Sequence, residues 1–205
     1  MKRLVFLLSA LLIFLCACSS DAPKSASEGF LAAAKNDDRT AAEAYLSLTP
    51  DEKEAYFYGL DETGVAAYLY INRLSSAVGA YLAAALEKSE LSVVSSEIEG
   101  DTALVTVKGK ICDLSSFFQD LAPRVREELT LQSLGGKDMT AAEALEIVLV
   151  GMIKKDEFTP SEKEFRLSLQ KTDGEWKILP GEEVSFLLTL GLYSDPDVVF
   201  SAFAK

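Results

Sequence analysis

The sequence predicts an α+β domain in which N-terminal helices pack on a small curved antiparallel sheet of two hairpins, with long helical insertions. Two observations predict it. Apolar residues recur at helical spacing, behind capping residues, in several segments of the N-terminal half and the centre. Two other stretches alternate apolar with polar residues and are closed by short glycine-containing turns, the pattern of half-buried hairpins.

The chain opens with Lys2 and Arg3, then runs from Leu4 to Ala17 without a charge. At fourteen residues this run is shorter than the ~20 that a membrane-spanning helix needs. A basic start, an apolar middle and a small residue at the end are the parts of a secretory signal. The run ends in Leu15-Cys16-Ala17-Cys18, which resembles the lipobox of bacterial lipoproteins: a Leu, a variable residue, a small residue and a Cys, followed by a polar mature start. The resemblance implies cleavage after Ala17 and lipidation at Cys18, because only a thiol can take a diacylglycerol as a thioether. Cys16 stands where the family usually has Ala, Ser or Thr, and so is a rival for modification. Spacing favours Cys18, since Ser19 to Ser25 form a polar tether directly behind it. Residues 1–17 are thus expected to be signal peptide, 18–26 a lipidated tether and 27–205 a single domain with helical insertions near 65–88 and 113–155. Two or three acyl chains, at ~0.8 kcal/mol per buried methylene, anchor a protein stably where one would be marginal. Ser19 occupies the position at which Asp holds enteric lipoproteins in the inner membrane. The expected address is therefore the cell membrane or outer membrane, facing the periplasm or the cell exterior.

Behind the tether, Phe30, Leu31 and Ala34 mark a helix from Ser27 to Ala34, broken by Lys35-Asn36-Asp37-Asp38. Thr40-Ala41-Ala42-Glu43-Ala44 has the capping-box form and predicts a second helix starting at Thr40; the same five letters return at Thr140 to Ala144. Thr49-Pro50 opens a third helix, which Gly59 ends. From Val65 to Leu86 a wide apolar face predicts a buried helix, interrupted by Asn72 and Arg73. Val93, Val94 and Ile98 lead to Glu99-Gly100-Asp101, and Ala103, Val105, Val107 and Ile111 then alternate with polar residues: the first hairpin. Asp113 is expected to cap a helix reaching Leu131, and Ala141 to Lys155 make another. Pro160 is read as part of a turn before Phe165, Leu167 and Leu169, whose alternation predicts a strand. Thr172-Asp173-Gly174-Glu175 reverses it into Trp176-Lys177-Ile178-Leu179. Val184 to Leu192 and Asp195 to Phe203 are apolar enough to pack back as helices.

Loss of the leader removes two basic residues and no acid, deepening the net charge from −12 to −14. Such a surface repels phosphate backbones, so nucleic acid is not an expected partner. The chain has no histidine, which excludes Ser-His and Cys-His nucleophiles and imidazole metal sites. With Cys16 removed and Cys18 acylated, Cys112 stands alone at the end of an apolar strand, where a thiol is a small buried hydrophobe. Trp176 and the tyrosines are expected in the core.

The phrases Glu28 to Asp37, Thr40 to Leu46, Glu99 to Val107 and Lys171 to Ile178 together resemble the domains related to nuclear transport factor 2 and the ketosteroid isomerases, found on many bacterial lipoproteins. They cover about a third of the chain; Val65 to Leu86 and Asp113 to Lys155 would have to be insertions around the sheet, which leaves a cystatin-like or an entirely different α+β arrangement open. The resemblance implies a cone whose concave face holds an apolar ligand or a partner. The isomerases' Asp, Tyr and protonated acid match no motif here, so no catalytic residue is carried over; no cofactor or metal ligand is assigned. The expected function is a non-catalytic binding or interaction module, tied to a membrane through Cys18 and contacting an envelope protein or an apolar small molecule. The alternative is a carboxylate-dependent extracytoplasmic enzyme, with Glu97, Glu99 and Asp101 as its visible acids.

Overall fold

The computed structural model describes residues 21–50 and 77–191. The leader, Cys18, the third helix beyond Pro50, the long apolar segment before residue 77 and the segment from Asp195 lie outside the described residues.

The order of elements is α1 (Ala22–Lys35), α2 (Arg39–Ala44), a helical segment over residues 77–87, β1 (Glu90–Glu99), β2 (Thr102–Cys112), α3 (Phe117–Leu134), α4 (Ala141–Lys154), β3 (Pro160–Thr172), β4 (Glu175–Ile178) and α5 (Glu182–Thr189). The strands form one antiparallel sheet in the order β1-β2-β3-β4. This is the predicted α+β class, with both hairpins in place. The two hairpins join edge to edge: β2 pairs with β3 from Thr102↔Gln170 to Cys112↔Pro160, so α3 and α4 form one long excursion between neighbouring strands.

Alternation decides the two faces. Ala103, Val105, Val107, Phe165, Leu167, Leu169 and Ile178 are buried on one side. The other side carries polar pairs such as Lys108 opposite Glu164, joined by a 2.7 Å ion pair. The apolar face is covered by α1, which reaches β1, β2 and β4, and by α5 on β3. Phe30 of α1 and Leu187 of α5 are buried there. At the β3–β4 reversal Asp173 and Gly174 have φ of 53° and 88°, the double positive-φ turn that suits a tight hairpin. β1 bulges at Val94 between the pairs Val93↔Val107 and Ser95↔Thr106. That extra residue bends an edge strand and blunts it against further pairing. The β4 edge is covered by Tyr45 to Ser47, through Ser47 N–H to Ile178 O (2.9 Å) and Ile178 N–H to Tyr45 O (2.8 Å).

Several element starts differ from expectation. α1 begins at Ala22, not Ser27, because Pro23 falls in the first turn, where its missing N–H and fixed φ favour a helix. Residues 22–26, expected in the tether, are therefore helical. α2 is capped by Asp38, whose carboxylate accepts from Ala41 N–H at 3.0 Å, so Thr40 lies inside the helix instead of starting it. Asp113 does not cap α3. It accepts instead from Ser115 N–H (3.0 Å) and Lys163 Nζ (2.7 Å), and α3 starts after Ser116. Pro160 is the first residue of β3. Proline is tolerated there because β4 pairs only from Leu169 onward and no ladder bond is needed on that side.

Candidate interaction surface

The α3–α4 excursion carries four of the six large apolar residues that stand exposed among the described residues, the other two being Val94 and Ile98 of β1. Its return helix is set by the second copy of the repeated pentapeptide. Thr140 Oγ1 accepts from Glu143 N–H at 3.3 Å and the Glu143 carboxylate accepts from Thr140 N–H at 2.8 Å, a complete capping box. Hydrogen bonds from the Thr140 N–H and then its hydroxyl hold the Glu143 carboxyl below the usual carboxylate range.

The base of the excursion is pinned to its surroundings. Tyr81 packs its ring against Phe117 (4.9 Å between centroids) and Phe158 (5.0 Å). Arg124 pairs with Glu157, and Lys88 with Asp156 at 2.6 Å. Arg124 lowers the Glu157 carboxyl by hydrogen bonding. Burial, with Cys112 behind it, raises the Tyr81 phenol. Burial likewise pushes the Cys112 thiol up, which suits an unreactive core residue.

Beyond this base the outer side is bare. Leu131 is 57% exposed, Leu134 82%, Ile147 44% and Val150 37%. Ile147, Val150 and Met139 border an open hollow of about 640 Å³, rimmed by Lys137, Asp138, Glu143 and Glu146. α4 has two apolar sides: Ala144, Leu145 and Leu149 are fully buried, while Ile147 and Val150 face out. A helix with apolar residues on two sides offers the second side to a further neighbour. Gly151 follows on the same outer stripe as Ile147, and a Cβ there would meet nothing within 4 Å. Its small size is thus not required by packing within the described residues, and glycine inside a helix costs about 1 kcal/mol relative to alanine.

The residues singled out in the sequence are scattered. Glu97, Glu99 and Asp101 stand exposed along the end of β1 and its turn, more than half the sheet away from the α3–α4 base. Cys112 is buried. Trp176 is half-buried against the core and, with Tyr45, Ala22, Ala26 and Gly174, borders a second hollow of about 480 Å³. Tyr81 is buried as expected, whereas Tyr56, Tyr58, Tyr68 and Tyr70 lie outside the described residues, as does Cys18. Sequence reading missed the α3–α4 surface, although its signal was present: Leu145-Glu146-Ile147-Val148-Leu149-Val150-Gly151-Met152-Ile153 has apolar residues on more sides than one neighbour can cover. Among the described residues no cluster of Cys, Asp and Glu is arranged to hold a metal ion, and no helix is long and apolar enough to cross a membrane.

No known protein family matches the chain. No curated protein matches it either. Among solved structures it is similar to the crystal structure of a candidate lipoprotein, ycdA, from Bacillus subtilis subsp. subtilis str. 168, at 19% identity and a TM-score of 0.38, over 72% of this chain and 53% of that one. This chain thus spans about half the length of that protein, and so loose an overlap carries neither fold nor function across.

Proposed function

We propose that this chain is a lipid-anchored, extracytoplasmic interaction module, non-catalytic, whose α3–α4 excursion binds another envelope protein. The observation that carries the binding half is that four of the six large apolar residues exposed among the described residues, Leu131, Leu134, Ile147 and Val150, lie on the α3–α4 excursion of an acidic chain. Isolated exposed apolar residues are ordinary, but several on one helix pair, two of them bordering a hollow, are what protein contacts use. The anchoring half is supported by Leu15-Cys16-Ala17-Cys18 behind an uncharged run too short to span a bilayer.

Position-specific photo-crosslinking in the intact cell tests the binding half. A photoreactive residue at Ile147 should give a discrete adduct, and one at Ser168, on the polar face of the sheet, should give none. Equal adducts at both positions, or none at Ile147, would contradict the assignment.

A further inference from the structure

The two ends of the molecule have different neighbours, and the path of α1 fixes which is which. The start of α1 lies at the hairpin-turn end of the sheet, where Ala22 and Ala26 share a hollow with Gly174 and Trp176. Its last residue reaches the opposite end, where Lys35 Nζ donates to Ser89 O at 2.9 Å, one residue before β1 begins. That opposite end is also where β2 finishes, β3 begins and the α3–α4 excursion departs, since Glu90 pairs with Lys110 and Cys112 with Pro160. β3 has 13 residues and at about 3.3 Å each could span at most roughly 40 Å, while α1, with 14 residues at about 1.5 Å each, advances roughly 20 Å from one end towards the other. α3 and α4 pack on each other, and Phe117, Leu121, Leu145 and Leu149 on their inner sides join the main apolar core.

The helical start at Ala22 leaves only Ser19, Ser20 and Asp21 between it and Cys18. Four residue steps reach at most about 14 Å. A lipid on Cys18 therefore brings the hairpin-turn end close to the bilayer and leaves the base of the excursion at the far end of the sheet. The rim of the outer hollow carries Asp138, Glu143 and Glu146 against Lys137, an acidic balance around an apolar floor that disfavours anionic headgroups and favours a basic partner.

Resting on the reading above, we propose that the domain stands end-on, with the Trp176 end towards its own membrane. The α3–α4 surface then faces away and receives an amphipathic helix of a second protein, apolar along one stripe and basic beside it. Gly151 on the outer stripe would let such a helix approach closely.

Trp176 is the single tryptophan of the chain and sits at the membrane end, so it reports the orientation directly. The mature chain with Cys112→Ala, coupled at Cys18 to a maleimide lipid, is placed in phosphatidylcholine vesicles containing a dansyl-headgroup lipid. Coupling by chemistry makes this independent of natural acylation, which mass spectrometry of the native protein decides separately. Energy transfer to the bilayer should be strong from Trp176 and at least several-fold weaker in a Trp176→Phe, Leu134→Trp variant. If that variant does not fold, Leu134→Trp alone should lower the mean transfer efficiency by adding a distant donor. Transfer from position 134 as strong as from Trp176 would overturn the orientation and make the bilayer the occupant. A synthetic helix of leucine and lysine should bind the coupled chain at least ten-fold more tightly than the same helix with glutamate for lysine, and Ile147→Asp should remove that preference. Equal binding of both helices, or self-association of the chain abolished by Ile147→Asp, would overturn the choice of occupant.

Discussion

The sheet layer and the α3–α4 excursion both rest on apolar periodicity, and they end in opposite states. Along the middle of β2 and β3, from Ala103 to Val107 and from Phe165 to Leu169, every second residue is apolar, and that face is sealed by α1 and α5: Val105 and Val107 are 0% exposed, Leu167 and Leu169 1%. On α4 the apolar residues occupy two sides. One side is sealed as completely, with Leu149 at 0%, while Ile147 and Val150 across the helix keep 44% and 37% of their surface. The strand period of two makes one face apolar and leaves the other to charge pairs, so a single covering layer suffices. A helix with apolar residues on both sides needs two neighbours. Among the described residues only one of the two sides of α4 is covered.

That contrast can be broken by truncation. Leu167→Ala should cost about 2–5 kcal/mol of folding stability by leaving a cavity in the core beneath the sheet, whereas Val150→Ala should stay within about 0.5 kcal/mol. Chemical denaturation of both variants checks the pair, and equal losses would place Val150 in a sealed core.

Backbone fit sharpens it next. Gly109 has φ of 146°, and a Cβ there would run into the Glu90 carbonyl across the β1–β2 ladder. Gly109→Ala should cost about 1–3 kcal/mol, while Gly151→Ala on the outer stripe should raise stability by up to about 1 kcal/mol. Thermal melts of the two variants should therefore move in opposite directions.

Acid should loosen the sheet end of the excursion. Burial works to raise the Asp113 carboxyl, but hydrogen bonds from Lys163 and Ser115 outweigh it and hold the group below its ordinary range. A carboxyl lowered in the folded state stabilises the fold above its unfolded pKa and loses that contribution as pH falls through the folded one. Stability should therefore decline from about pH 4 downwards, and Asp113→Asn should flatten that decline in a series of urea midpoints.

The smallest effect concerns α1. Ser27 is fully buried and its hydroxyl has no hydrogen-bond partner among the described residues. Ser27→Ala should be neutral or stabilising by up to about 1 kcal/mol, because it removes an unsatisfied polar atom from the core. A loss of more than that in urea denaturation would reveal a partner for the hydroxyl.

The hairpins were legible because strand alternation is local: Val105 and Leu167 announce their face through their immediate neighbours. Helix starts were less so. Thr40 and Thr140 head identical pentapeptides, yet only Thr140 caps, since Asp38 lies two residues ahead of Thr40 and its carboxylate takes the orphan N–H first. The polar residues after Cys18 read as tether, and what overrides them is Pro23 in the first turn of α1. The candidate surface was illegible for a different reason: spacing tells how many sides of α4 are apolar, but which side a neighbour covers depends on long-range packing. That Cys18 is close to the fold, and not at the end of a long tether, follows only once α1 is seen to begin at Ala22.

Lipid attachment at Cys18 decides where these two ends of the molecule point, and intact-mass and peptide mass spectrometry of the protein extracted from its native membrane measures it directly. The expected species begins at residue 18 and carries a thioether-linked diacylglycerol on that sulfur. A chain that retains Leu4 to Ala17, or that begins with a free thiol, would contradict the account.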